Sequence, residues 1–151
     1  MTDQLRAMPR PSDAPVRWVP EADWHVTLRF VGEADPHEVA ERLDHARIPS
    51  AMARLGPGVT LLGPSAVIIP CSGLDRLAAA IREATEGIGE VDPRPFVGHL
   101  TVARVVGPDP WTPPSTAISV EFEVPRLALV ASTLTGDGPR YEPVGEWPPA
   151  D

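Results

Sequence analysis

The sequence contains one cysteine, no lysine and no asparagine, and it lacks an apolar run long enough to cross a membrane. The single cysteine, Cys71, excludes an internal disulfide and a zinc site built from several cysteines. A membrane-spanning helix needs about 20 consecutive apolar residues, and residues 1–10 also lack the apolar stretch of a signal peptide. We therefore expect a cytoplasmic location, no membrane partner, and a buried Cys71 within an apolar run.

Negative charge dominates the composition. The formal net charge is −8 at pH 7 and the pI is about 4.9, which argues against a broad surface for tracking along nucleic acid. All 13 basic residues are arginine, a side chain well suited to bidentate contacts with a phosphate. The chain has 151 residues and 42% hydrophobic content, so we expect a single domain, 1–151, with residues 1–16 as a flexible lead-in.

A short motif occurs twice. His25-Val26-Thr27 lies within residues 24–32, and His99-Leu100-Thr101 follows 74 positions later (99 − 25). Both surrounding runs are rich in apolar and β-branched residues, as is typical of strands. Side chains on a strand change face at every residue, so each histidine shares a face with its threonine. Two polar faces that each carry an imidazole predict an active site.

The remaining sequence predicts an α+β fold whose connections are largely turns. Asp35 and Pro36 indicate the start of a helix that ends near Arg47, and apolar spacing predicts a second helix over residues 74–86. Prolines and glycines divide residues 51–71 into a meander of three short strands. Other extended segments are predicted at 17–20, 24–31, 97–106, 118–124, 127–132 and 140–144, followed by a tail at 147–149. Each motif strand is expected to carry its own half of the sheet, with the two histidine faces opposed across a cleft.

Two imidazoles can act on one bond from both sides, because imidazole gains and loses a proton near neutral pH. One histidine can protonate a leaving oxygen while the other deprotonates the attacking group. The threonine two residues away, roughly 6.6 Å along the strand, adds a hydroxyl that can hold a phosphate. This chemistry requires no metal and no cofactor. The structural alternative is a pair of core histidines, and the repeated context favours catalysis.

The doubled motif and its flanks resemble the 2H phosphoesterases, and within them most closely the RNA 2′,3′-cyclic phosphodiesterases, also called 2′-5′ RNA ligases. The resemblance covers residues 17–147 and rests on Arg17-Trp18-Val19-Pro20, residues 25–32, Arg94-Pro95-Phe96, residues 99–104, Ser132 and Gly138-Pro139-Arg140-Tyr141. It implies a two-lobed, pseudo-twofold α+β fold with antiparallel sheets lining a central cleft and helices outside. It also implies metal-independent hydrolysis of a 2′,3′-cyclic phosphate, at an RNA 3′ end or on a small cyclic nucleotide, to a 2′-phosphomonoester. The resemblance also implies reversible 2′-5′ RNA ligation.

By the same resemblance, His25 is the proton donor and His99 the proton acceptor, although the residues alone do not distinguish the two roles. Thr27 and Thr101 would bind the phosphate.

Further candidate substrate contacts are Arg29, Phe96, Arg104 and Tyr141. Strict alternation puts Arg29 on the histidine face of its strand. It turns Arg104 away from the corresponding face unless a bulge intervenes.

Two questions stay open at this level. A protein that keeps the pocket without turnover would be a nucleotide-binding or RNA-end-binding protein rather than an enzyme.

Family members usually begin with an apolar strand and a helix, for which residues 1–16 have too little room, so we expect a shortened start or an open sheet edge. The chain is expected to be a monomer, with a dimer formed through that edge as the alternative. A loop at 107–114 is expected in place of the usual helix after the second motif.

Overall fold

The computed structural model describes residues 2–150 and shows an α+β protein, as the sequence predicted. The helices are α1 (Thr2–Arg6), α2 (Pro36–Asp44) and α3 (Asp75–Ala84), and a 3-10 turn spans Glu21–Asp23. The strands are β1 (Val16–Trp18), β2 (Met52–Leu55), β3 (Thr60–Leu62), β4 (Ala66–Ser72), β5 (His99–Val105), β6 (Val120–Glu123), β7 (Leu127–Thr135) and β8 (Gly138–Trp147).

Most predicted elements are present within a few residues of their expected bounds. The meander appears as β2, β3 and β4, and the loop at 107–114 is also found. Asp35 caps α2 as predicted, because its carboxylate accepts a hydrogen bond from the backbone N–H of His37 at 2.9 Å. Trp147, predicted to begin a tail, instead ends β8, and its Nε1 donates to Asp44 Oδ1 at 2.7 Å.

Strands β1 to β6 form one sheet in the order β1-β5-β4-β2-β6, with β3 also paired to β4. The β1–β5, β4–β5, β3–β4 and β2–β4 pairs are antiparallel. Opposite residues in such pairs share a face. Val67 and Ile69 of β4 are fully buried, as are Ala103 and Leu100 opposite them. The face of the sheet that carries these four residues therefore belongs to the core.

Contacts divide the described chain into two compact units. The first unit comprises residues 2–27, 52–74 and 96–122, and the second comprises residues 28–51, 75–95 and 123–150. The first unit holds α1 and most of the six-stranded sheet, whereas the second holds α2, α3 and the β7–β8 hairpin. Both His-x-Thr motifs belong to the first unit, so the expectation that each motif carries its own half is wrong.

The first motif is not the continuous strand predicted for residues 24–31. Within that segment only Val26 pairs, in an isolated antiparallel bridge to Leu100. The 3-10 turn precedes the motif, and the second unit begins at Leu28. The segment therefore pairs as a strand at one position only.

Residues 1–16, expected to be a flexible lead-in, contribute side chains to the core in the part that the structure describes. Leu5 of α1 is only 2% exposed and Met8 is 5% exposed. Gln4 exchanges two hydrogen bonds with the backbone of Ser119, donating from Nε2 at 2.8 Å and accepting at Oε1 at 3.0 Å. Among residues 2–15 there is a helix and no strand. This helix is packed into the first unit.

Cys71 is buried in β4, as predicted, and burial raises the pKa of its thiol. No helix among residues 2–150 has the length and apolar character needed to cross a membrane.

Replacing Leu5 by alanine tests whether α1 belongs to the core. We expect Leu5→Ala to lower the free energy of unfolding by about 2–5 kcal/mol, because a buried leucine loses its contacts and leaves a cavity. Urea denaturation followed by tryptophan fluorescence measures the change. Leu134→Ala is the matched control, since Leu134 is 83% exposed and its loss should change stability by less than about 0.5 kcal/mol. Equal effects of the two substitutions would contradict the assignment.

Candidate active site

The two motifs are joined by the backbone pairing of Val26 with Leu100. In an antiparallel pair, the residues on either side of a bridge also face each other. This register sets His25 opposite Thr101 and Thr27 opposite His99. Two imidazoles and two hydroxyls thus share one face of the sheet, here called the histidine face.

The histidine face is accessible to a ligand within the first unit. His25 and Thr27 are exposed, and His99 and Thr101 are half-buried. The cross-strand pairing of each histidine with the threonine of the other motif could not be predicted from the sequence, because the register between distant segments is not encoded in either motif alone.

An insertion places the first motif against β5. The N–H of Val19 donates to the carbonyl of Val102 at 2.9 Å, and the next pairing along this edge is Val26 with Leu100. Between these pairs the first segment advances by seven residues (26 − 19) and β5 by two (102 − 100). The five additional residues form the turn that contains Glu21–Asp23.

Side chains brace this turn immediately before His25. The indole Nε1 of Trp24 donates to the carbonyl of Val19 at 3.1 Å, and the Arg10 guanidinium lies 5.6 Å from the centroid of the Trp24 ring. Arg6 of α1 donates to both carboxylate oxygens of Glu21, at 2.7 and 3.0 Å. The N-terminal segment thus supports the turn that positions the first histidine.

The two imidazoles are held by the backbone in the same way. His25 Nδ1 donates to the carbonyl of Asp23 at 2.7 Å, and His99 Nδ1 donates to the carbonyl of Val97 at 2.8 Å. A carbonyl oxygen can only accept, so Nδ1 keeps its proton in the neutral and in the charged imidazole. In the neutral imidazole of each motif, Nε2 is then the nitrogen without a proton. No side-chain signal in the sequence could have identified these two acceptors.

Gly98 allows β4 to approach the start of β5 closely. The N–H of Cys71 donates to the Gly98 carbonyl at 2.8 Å, and a Cβ at Gly98 would lie 2.3 Å from the Cys71 carbonyl oxygen. A side chain at this position would therefore push β4 away from His99. Phe96 is half-buried, and its ring carbon Cζ lies 3.4 Å from where that Cβ would be.

A bulge in β5 returns Arg104 to the histidine face. The register between β4 and β5 shifts by one residue after Thr101, which leaves Val102 without an opposite residue. Arg104 is opposite Ala66 and Thr101 is opposite Ile68. Ala66 and Ile68 are two positions apart on β4 and so lie on the same face. Arg104 and Thr101 therefore share a face. Strict alternation, which turns Arg104 away from the histidine face, fails here because of the bulge.

Arg29 is bound to the backbone of the second unit. Its Nη1 donates to the carbonyl of Thr85 at 2.7 Å and also to the Thr85 hydroxyl, while Nη2 donates to the carbonyls of Ile88 and Glu90 at 2.6 and 3.1 Å. A positive charge beyond the C-terminus of α3 suits the dipole of that helix. Burial, and secondarily the charge of Arg82, lower the pKa of Arg29. We interpret Arg29 as a residue that fixes the chain leaving the first motif.

The last candidate contact, Tyr141, lies opposite Ser132 in the β7–β8 hairpin of the second unit and is 44% exposed. Its contact with substrate stays a prediction, as does that of Phe96. Within residues 2–150, no group of three or more histidine, cysteine, aspartate or glutamate side chains lies close enough to hold a metal ion.

Comparison with known proteins adds independent findings. A sequence model of the family described as LigT-like phosphoesterase matches residues 2–55, which include α1 and the first motif. An RNA 2′,3′-cyclic phosphodiesterase of Aquifex aeolicus is 32% identical over 151 residues, covering 87% of this chain and 80% of the relative. A relative of the same name from Geobacillus stearothermophilus is 30% identical over 155 residues, covering 91% of this chain and 49% of the relative. The chain thus spans about half the length of that second relative.

Solved structures of similar fold include E. coli LigT complexed with 3′-AMP. Its sequence is 26% identical, the match covers 97% of this chain and 88% of LigT, and the TM-score is 0.77.

The imidazole orientation can be tested by ¹⁵N nuclear magnetic resonance. We expect neutral His25 and His99 to carry the proton on Nδ1, because each Nδ1 donates to a backbone carbonyl. Two-bond ¹H–¹⁵N correlation spectra distinguish this tautomer from the one protonated at Nε2. A proton on Nε2 and none on Nδ1 in either residue would contradict the geometry.

The role of Arg29 can be tested with Arg29→Lys. We expect the free energy of unfolding to fall by about 1–3 kcal/mol, because an ammonium group cannot replace the forked bonds to Thr85 and Ile88. Arg76→Lys is the control, since Arg76 is exposed on α3, and it should change stability by less than about 0.5 kcal/mol. Urea denaturation of both variants provides the comparison, and equal stabilities would contradict a positioning role.

Proposed function

Because this chain belongs to the LigT-like family of 2H phosphoesterases, we propose that it hydrolyses 2′,3′-cyclic phosphates to 2′-phosphomonoesters. The substrate would be an RNA 3′ end or a small 2′,3′-cyclic nucleotide. The observation that carries this proposal is the Val26–Leu100 pairing, which sets both His-x-Thr motifs on one face.

The proposed reaction uses one histidine on each side of the phosphorus atom. His99 Nε2 accepts a proton from water as the water oxygen bonds to phosphorus. His25 Nε2 gives a proton to the 3′ oxygen as the bond between phosphorus and that oxygen breaks. The 2′ oxygen keeps its bond to phosphorus, so the product is a 2′-phosphate. The assignment of acid and base follows the family resemblance, because the two imidazoles have equivalent backbone bonds.

The threonines would hold the phosphate between the histidines. Each hydroxyl lies across the strand pair from the histidine of the other motif, so a bound phosphate can accept one hydrogen bond from each side. E. coli LigT, which shares the fold, has been crystallised with 3′-AMP, a nucleotide with a phosphate on its ribose. This supports a phosphorylated ribose as the kind of ligand that the present chain binds.

An RNA 5′-hydroxyl could take the place of water in the same reaction. Its oxygen would attack phosphorus and the 3′ oxygen would again leave with a proton. The product would be a 2′-5′ phosphodiester, which is the ligase activity that the family resemblance implies.

Histidine substitutions test the proposed catalysis. We expect His25→Ala and His99→Ala each to lower kcat for a nucleoside 2′,3′-cyclic phosphate by ~10²–10⁴, the usual contribution of a general acid or base. Turnover in the presence of EDTA, followed by ³¹P nuclear magnetic resonance, measures the rate and identifies the phosphomonoester. The wild-type rate should fall on both sides of an optimum pH, since one imidazole must be charged and the other neutral.

His37→Ala is the control for these variants, because His37 lies on the exposed side of α2 and should not affect the rate. Wild-type protein that binds the nucleotide without turnover would instead support a binding protein. Undiminished hydrolysis by folded His99→Ala would refute the two-histidine mechanism.

A further inference from the structure

We propose that Arg17 and Arg104 form a second anion site on the histidine face, which binds the phosphate on the 5′ side of the terminal nucleotide. This inference rests on the proposed function. It makes the enzyme selective for RNA 3′ ends and 5′-phosphorylated nucleotides over nucleosides that carry only the cyclic phosphate.

The strand register places the two arginines together. Arg17 of β1 is directly opposite Arg104 of β5. The bulge after Thr101 puts Arg104 on the histidine face, and opposite residues share a face, so Arg17 lies on it as well. Both side chains are exposed. Because of the bulge, Arg104 and Thr101 face residues two positions apart on β4, so they are roughly 7 Å apart along the strand, a distance suited to a neighbouring phosphate.

Neither guanidinium is neutralised by the protein. Among residues 2–150, the guanidinium group of neither Arg17 nor Arg104 has a hydrogen bond or ion pair with another residue. The next positions around them on this face carry no carboxylate, since Ala66 is opposite Arg104 in β4 and Thr101 precedes it in β5. Like charges placed directly opposite each other destabilise a strand pair. A bound anion would remove that cost.

The negative net charge of the protein makes a local pair of cations, Arg17 and Arg104, important for binding a phosphate. With a net charge of −8, the protein as a whole repels a polyanion, so binding of a second phosphate requires cations at a defined place. Two guanidinium groups can each present a forked pair of donors to phosphate oxygens. The pair is suited to one phosphate next to the reacting one, and not to a long nucleic acid.

The test compares two substrates that differ only in one phosphate: adenosine 2′,3′-cyclic phosphate with a free 5′-hydroxyl and the same compound with a 5′-phosphate. We expect wild-type kcat/KM to be about tenfold higher for the 5′-phosphorylated compound, mainly through KM, and the preference to weaken as salt is raised. Arg17→Gln should reduce the preference to about twofold or less. Arg17→Lys should retain part of it, because lysine keeps the charge without the fork.

Arg54→Gln is the matched control. Arg54 of β2 lies on the same face, opposite Ser72, but it is about 10 Å from β5 and already paired with Glu121 at 2.8 Å. The preference of this variant should equal that of the wild type. Thermal unfolding of both glutamine variants confirms that they fold.

The outcomes separate this inference from the proposed function. Wild-type turnover without any preference, or an equal loss on both compounds in Arg17→Gln, would overturn the second anion site and leave the proposed activity standing. If the Arg17→Gln protein keeps the preference for the 5′-phosphorylated compound and forms a dimer, the second anion site is also overturned. Arg17 would then protect the edge of the sheet from pairing with another chain. If neither compound is hydrolysed, the proposed activity fails, and calorimetric affinities for the same two compounds then decide on the anion site alone.

Discussion

The backbone pairing between Val26 and Leu100 is the constraint on which the candidate active site depends. One antiparallel bridge sets the register of two motifs that are far apart in the chain, and it puts each histidine across from the threonine of the other motif. The turn at Glu21–Asp23 supplies the extra length that lets the first motif reach this position. The hydrogen bonds of Nδ1 to backbone carbonyls then hold both imidazoles in the same tautomer.

Much of this arrangement follows from local patterns in the sequence. The strand that begins at His99, the cap at Asp35 and the turns of the meander all depend on local geometry, and the structure confirms each of them. What the sequence could not reveal is the register between distant segments. The bulge after Thr101 arises from the pairing of β4 with β5, so the face of Arg104 could not be predicted from alternation in β5 alone.

The N-terminal segment shows a second limit of sequence patterns. A helix of five residues is too short to display a period, and the prolines and charges of residues 1–16 are typical of an irregular segment. Its contribution depends on long-range contacts: Leu5 is buried and Arg6 binds Glu21 in the turn before His25. The family match that begins at residue 2 agrees with a structural role for this segment. Arg29 likewise looked like a site residue by alternation, but its donors are directed to the backbone beyond α3.

The central claim is that the two histidines act on the same bond as one catalytic unit, and the double variant His25→Ala/His99→Ala tests it most directly. Groups that act as a unit give strongly non-additive losses. We predict that kcat of the double variant lies within about threefold of the slower single variant, measured on the same 2′,3′-cyclic phosphate. A double variant in which the two single losses multiply would show that the histidines act independently, and it would contradict the account.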